Sequence, residues 1–215
     1  MRNLSLLLLC LLLQACTQTQ RGLGDTLKLA FQGEDDIQLT NHQIENIPYA
    51  SMYLSLNNER QIFVVLGYNE AGQQKWITQD RAVIVMQDGR LVKTLGLTDN
   101  LNEVSNLQQD PLRQPLRLTT GASWTRTLSW TEQGQLRSAT AVSHFTRLAD
   151  EVLDLAGHHV ACQVWQEDVQ LNENGKSWSN TFWVDASNGQ IRRAEQMLGA
   201  DYFPVTTTIL KPATP

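Results

Sequence analysis

Residues 82–97 read AVIVMQDGRLVKTLGL, two β-branched and leucine-rich runs on either side of Asp88-Gly89. Asp-Gly suits the type I′ turn, in which both central residues take positive φ, and two apolar runs so joined predict a β-hairpin. The same grammar recurs in both directions. Upstream, Pro48 to Leu56 (PYASMYLSL) and Gln61 to Tyr68 (QIFVVLGY) flank Asn57-Asn58, and Lys75 to Thr78 follows. Downstream, Ser123 to Glu132 and Leu136 to Arg147 flank Gln133-Gly134-Gln135. Val160 to Leu171 and Lys176 to Asp185 flank residues 172–175 (NENG). Ser187-Asn188-Gly189 leads into Gln190 to Leu198, and Val205 to Leu210 (VTTTIL) closes the series before Pro212. Turn residues at roughly ten-residue spacing predict an all-β fold, an antiparallel meander of about a dozen strands. The sheet is expected to bend on itself as a partly open barrel or a sandwich. Asp99 to Arg117, with Pro111 and Pro115, is expected to be an extended loop or edge segment.

The N-terminus follows different rules. Arg2 gives a positive start, and Leu4 to Leu13 is a ten-residue apolar run with eight leucines. That is the layout of a secretory signal, and the run is too short for the roughly 20 residues of a spanning helix. Cutting after Ala15 for an ordinary signal peptidase puts Leu13 at −3, a poor fit. Leu13-Gln14-Ala15-Cys16 instead resembles the lipobox of bacterial lipoproteins, with Cys16 as the lipidated residue. A single acyl chain anchors weakly, but lipoprotein-type cysteines carry three. Thr17, which is not aspartate, favours the outer membrane by resemblance to enteric sorting rules. The expected organisation is a cleaved signal over 1–15, a lipidated tether over 16–24 and one β-rich periplasmic domain over 25–215. Leu23, Leu27 and Phe31 fall four apart and predict one short amphipathic helix from about Gly24 to Phe31.

Removal of residues 1–15 takes only Arg2 among the charges and leaves 16 basic against 22 acidic side chains. That is a solubility charge, and with no basic run longer than Arg192-Arg193 it argues against a nucleic-acid partner. Cys162 is the one cysteine left after the signal and the lipid site, and it reads as a small buried hydrophobe in a strand. His42, His144, His158 and His159 form no metal spacing, and no GxSxG elbow or glycine-rich phosphate loop is present. The adjacent carboxylates Asp35-Asp36 and Glu167-Asp168 read as solvated surface. No catalytic residue, metal or cofactor is therefore expected. Trp76, Trp124, Trp130, Trp165, Trp178 and Trp183 all fall in or beside predicted strands. Trp178, Phe182 and Val184 share one strand face and Trp183 lies on the other. Core packing is the first expectation for each ring; Trp124, Trp130 and Trp178 are the candidates for stacking on a glycan.

Four stretches carry a resemblance. They are Pro48 to Tyr68, Gln109 to Arg113 (QDPLR), Cys162 to Val169 (CQVWQEDV) and Asn180 to Pro212. In that order they resemble the YjbF/GfcB lipoproteins, encoded with exopolysaccharide and group 4 capsule export systems. The resemblance implies a bent antiparallel meander. It also implies a non-enzymatic outer-membrane accessory of capsule or exopolysaccharide secretion, with polysaccharide and other export proteins as partners. It carries over one functional residue, Cys16. A lipid- or glycan-binding carrier of the envelope is the alternative, and a polysaccharide-modifying enzyme ranks below it.

Overall fold

The computed structural model describes residues 36–173, 175–199 and 203–213. The predicted Gly24–Phe31 helix, the tether and Cys16 lie outside them. A helix that the periodicity did not predict, α1 (Asn41–Asn46), is started by a capping box between Thr40 and Gln43.

Thirteen strands follow: β1 (Ser51–Leu56), β2 (Ile62–Glu70), β3 (Gln73–Ile77), β4 (Val83–Gln87), β5 (Arg90–Leu95), β6 (Leu101–Val104), β7 (Ser123–Glu132), β8 (Gln135–Arg147), β9 (Glu151–Leu155), β10 (His158–Leu171), β11 (Ser177–Asp185), β12 (Ile191–Met197) and β13 (Pro204–Lys211). They form one sheet in the order β5-β4-β3-β2-β1-β13-β12-β11-β10-β8-β7-β6, every pairing antiparallel. Neighbours in the sheet are neighbours in the chain except at β1–β13, where the meander closes through its two terminal strands, and at β10–β8, which skips β9. β9 lies off this path. It pairs with the start of β10 (Cys162 opposite Glu151), while β8 pairs with the remainder (Trp165 opposite Arg147). β8 and β9 are thus two halves of one long strand broken near Leu148, which leaves a 12-stranded, nearly closed barrel.

The predicted hairpins appear at their expected turns. Four connections are two-residue loops, and Asp88 (φ 50°) and Gly89 (φ 76°) form the one between β4 and β5 as a type I′ turn. The barrel lacks a backbone ladder only between β5 and β6, its two edge strands. Side chains bridge that seam: the Leu101 amide donates to Thr94 Oγ1 at 2.9 Å, and that hydroxyl contacts Asn100 Oδ1 at 3.2 Å.

Inside, residues of every strand but β9 meet in one core, among them Leu54, Trp76, Ile84, Leu128, Trp130, Phe145, Trp178 and Phe182. Trp178, Phe182 and Val184 face this core, whereas Trp183 packs outside it with Cys162 and Val164. Outward positions of β7 such as Ser123, Thr125 and Thr127 are polar and exposed. No helix among the described residues is long and apolar enough to cross a membrane. On the outside, Ile44 and Ile47 from the arm around α1 cover Phe63 and Leu210.

The Asp99–Arg117 stretch departs from expectation. Leu101–Val104 is a true strand, and the residues after it form three short 3₁₀ turns, Leu107–Gln109, Pro111–Arg113 and Pro115–Arg117. Proline begins the second and third turns, where its fixed φ is preorganised and its missing N–H costs nothing. The segment lies across the end of the barrel that carries the β4–β5 and β11–β12 turns, and Leu112 and Asp110 are buried there. It acts as a plug.

Candidate functional site: a charge cluster at the plugged end

The plug and the strands beneath it bring four charged side chains together. Arg90 Nε donates to Asp110 Oδ2 at 2.7 Å and Arg90 Nη2 to Asp110 Oδ1 at 3.1 Å, a two-pronged pair. Arg90 Nη1 donates to Glu167 Oε2 at 2.6 Å. Arg126 Nη1 lies 3.2 Å from Glu167 Oε1 and also donates to Ser143 Oγ. Asn180, opposite Glu167 in the β10–β11 ladder, donates to Glu167 Oε2 at 2.8 Å. The cluster is electrically balanced and closed: Glu167 is 0% exposed, and Arg90, Asp110 and Arg126 are buried too.

The aromatic rings belong to the same assembly. The Arg90 guanidinium carbon sits 4.7 Å from the Trp124 ring centre and 5.1 Å from that of Phe182, and Arg126 sits 4.3 Å from Trp124. Desolvated cation–π contacts of this kind contribute about 2 kcal/mol each. The Trp124 indole N–H donates to the Asn106 carbonyl at 3.1 Å, which ties the ring to the start of the plug. Asp110 does two jobs: its Oδ1 also accepts the Leu112 amide at 3.0 Å, capping the turn that its charge pins to Arg90.

Protonation follows from this geometry. Burial by itself raises the Glu167 carboxyl, but facing Arg90 and Arg126, with the Asn180 hydrogen bond, overcomes it and holds the group at about 2. Burial pushes the Arg126 guanidinium down to about 10, with Glu167 opposing and Arg90 reinforcing that shift. For Arg90 burial acts downward, yet Asp110 and Glu167 together keep it above its ordinary value. Glu167 and Asp110 are both buried within the cluster, so neither carboxylate faces solvent in this structure.

Two expectations are corrected here. Glu167-Asp168 is not a solvated pair: Asp168 is exposed and accepts from Gln166 and Ser179, but strand alternation turns Glu167 inward. Trp124, Trp130 and Trp178 present no ring to a glycan, being 2%, 3% and 7% exposed. They occupy inward positions of β7 and β11, where a barrel interior needs large side chains. His42, His144, His158 and His159 are all exposed, Asp36 accepts the Gln61 amide, and Cys162 is buried in β10. Burial and the nearby Asp185 push the Cys162 thiol up to about 11. Among the described residues no three His, Cys, Asp or Glu side chains converge as a metal site.

The charge cluster was missed because each member was read by local context. A signal was present in the alternation. Arg126 shares its strand face with Trp124, Leu128 and Trp130, and Glu167 shares its face with Trp165, Val169 and Leu171. A charge on an otherwise apolar face announces a buried partner. Asp110, Glu167 and Asn180 also fall in three of the stretches that carry the family resemblance.

The family model described as group 4 capsule polysaccharide lipoprotein gfcB, YjbF, matches residues 24–210. The chain belongs to the YjbF family. Two lipoproteins of Escherichia coli strain K12 show the same relationship. GfcB is 47% identical over 213 residues, covering 99% of this chain and 100% of that protein. YjbF is 49% identical over 213 residues, covering 99% of each. The crystal structure of the lipoprotein YmcC from Escherichia coli K12 superposes with a TM-score of 0.79 at 49% identity, covering 83% of this chain and 91% of that one. Membership in the YjbF family places the chain among capsule-associated lipoproteins, membrane-anchored proteins of the cell envelope.

Proposed function

We propose that this protein is an outer-membrane lipoprotein, anchored through Cys16 with its barrel in the periplasm, and a non-enzymatic accessory in capsule or exopolysaccharide secretion. The observation that carries the reading is the match of residues 24–210 to a capsule polysaccharide lipoprotein family. The lipobox Leu13-Gln14-Ala15-Cys16 and the non-aspartate Thr17 support the anchor and its destination. The sealed, neutralised charge cluster supports a binding or assembly role over a hydrolytic one. Polysaccharide or other export proteins are the partners this role requires. The lipid-carrier reading is the weaker, because charged side chains fill the barrel beside the plug.

The test is deletion of the gene with quantification of surface polysaccharide, followed by complementation with the wild type and with Cys16→Ser. Loss of polysaccharide on deletion, restored by the wild type alone, is expected. Unchanged polysaccharide on deletion refutes the secretion role, and full restoration by Cys16→Ser refutes the need for the anchor.

A further inference from the structure

The described chain begins beside a hollow of about 510 Å³ on the barrel. Its apolar walls are Ile37, Leu56 and Ile62, each half-buried, and Gln79 stands exposed at its rim. Leu56 and Ile62 pack on the barrel core and Ile37 on the outer cluster around Phe63, so the hollow opens where the two clusters meet. It lies between the β1–β2 and β3–β4 connections. That is the end away from the plug, because the β3–β4 and β4–β5 connections stand at opposite ends of β4. The volume falls within the about 300–1,000 Å³ of pockets that bury most of an apolar ligand.

The chain itself supplies an occupant. Residues 24–31 lie outside the described residues, and in the sequence Leu27 and Phe31, with Leu23 and Ala30, make one apolar face of the predicted helix. A helix this short is marginal in water by itself, so it needs a surface that covers that face. Asp36 and Ile37 fix where the segment arrives. Asp36 Oδ1 accepts the Gln61 amide at 2.7 Å, and the Ile37 amide donates to the Gln61 carbonyl at 3.1 Å. Residues 32–35 link Phe31 to that point and reach at most about 17 Å, so the segment stays at the lip of the hollow at high effective concentration. Gly33 lets the link turn back on itself. The family match begins at Gly24, the first residue of the predicted helix, and not at Asp36, which counts the segment as part of the folded body.

We propose that residues 24–31 dock into this hollow as a short helix, with Leu27 and Phe31 against Leu56 and Ile62. Docking leaves residues 17–23 between Cys16 and the barrel, at most about 25 Å of chain, against about 65 Å for residues 17–35 undocked. The unplugged end of the barrel is then the end held toward the membrane. The docking stands on the barrel and the segment alone, whereas its effect on distance and orientation rests on the Cys16 anchor proposed above.

The test uses the full lipidated protein in phosphatidylethanolamine–phosphatidylglycerol vesicles, with Cys162→Ala to remove the other thiol. Lys28→Cys, beside the apolar face of the predicted helix, is paired with Gln79→Cys at the rim of the hollow, and with Glu45→Cys on α1 as the control. Intramolecular disulfide formation is expected to be about tenfold faster or more with Gln79→Cys than with Glu45→Cys. It should slow about tenfold when Leu27→Asp and Phe31→Asp are added, two changes outside the barrel that should leave its Tm unchanged. Equal rates in the pair and the control, or no slowing in the aspartate variant, overturn the docking. So does protection of residues 24–31 from hydrogen exchange without the cross-link, which puts the segment on the membrane surface instead. A fluorophore on Gln79→Cys is expected to be quenched by headgroup-labelled lipid more strongly than one on Ala186→Cys at the plugged end, and the reverse order refutes the orientation. If the cross-link fails while surface polysaccharide still depends on Cys16, the docking falls and the anchor reading stands.

Discussion

Replacing Glu167 by Gln tests the account of the buried cluster directly. Glutamine keeps the shape and can still accept from Asn180, but it removes the negative charge that faces Arg126. Arg90 retains its two-pronged contact with Asp110, whereas Arg126 keeps Ser143 and the Trp124 ring but faces no anion and stays buried. Breaking one side of a buried ion pair costs about 3–5 kcal/mol, mostly for the stranded charge. The protonation geometry gives an independent figure. Holding Glu167 at about 2 rather than the ordinary 4.5 corresponds to about 3 kcal/mol of preference for the ionised form in the fold. For a chain of this size, a loss of 3–5 kcal/mol lowers Tm by roughly 6–20 °C. The assay is thermal unfolding followed by circular dichroism, with urea unfolding read by tryptophan fluorescence. Arg126 supplies the control. Its depression to about 10 by burial opposes folding by an amount comparable to what Glu167 contributes, so the pair itself is close to break-even. Arg126→Met combined with Glu167→Met is therefore expected to cost less than Glu167→Gln alone. A loss below about 1 kcal/mol for Glu167→Gln, or a double variant less stable than the single one, refutes the reasoning.

Because Glu167 titrates lower in the fold than in the unfolded chain, its contribution is complete above about 4.5 and is lost as pH falls toward about 2; urea midpoints across that window should drop for the wild type and flatten in Glu167→Gln. Asp110→Asn removes the negative charge that faces Arg90 and leaves one acceptor where there were two, which weakens the tie that holds the plug, so hydrogen exchange should rise by about tenfold to a hundredfold across Leu107–Arg117, about 1.4–2.8 kcal/mol of local stability, while β10 and β11 stay protected. Gly89→Ala places a methyl 2.5 Å from Ile191 Cβ at φ +76°, whereas Gly134→Ala at the same φ meets nothing within 4 Å; denaturation should show the first costing about 2 kcal/mol or more and the second about 1 kcal/mol. Burial holds the Cys162 thiol at about 11, so a thiol reagent at pH 8 should label the native chain far more slowly than the urea-unfolded chain, and equal rates would contradict the packing.

Much of the fold was legible because strand and turn signals are local. Asp88-Gly89, Gln133-Gly134 and Ala156-Gly157 mark turns by residue type, and the alternation around Trp178 and Phe182 marks an inward face. Three elements escaped. α1 is six residues held by a capping box, too short for periodicity to show. β6 and β9 are short strands whose identity comes from the partners they meet, β7 and β10.

The sequence alone determined the antiparallel meander, the turns that fold it and which face of most strands turns inward. Those properties depend on neighbours within a few residues. Only the tertiary structure decided that the sheet closes through β1 and β13, that residues 107–117 plug one end, and that Arg90, Asp110, Arg126 and Glu167 neutralise one another. Arg90 and Glu167 stand 77 positions apart, and a charge reveals its partner only when the chain has brought both out of water.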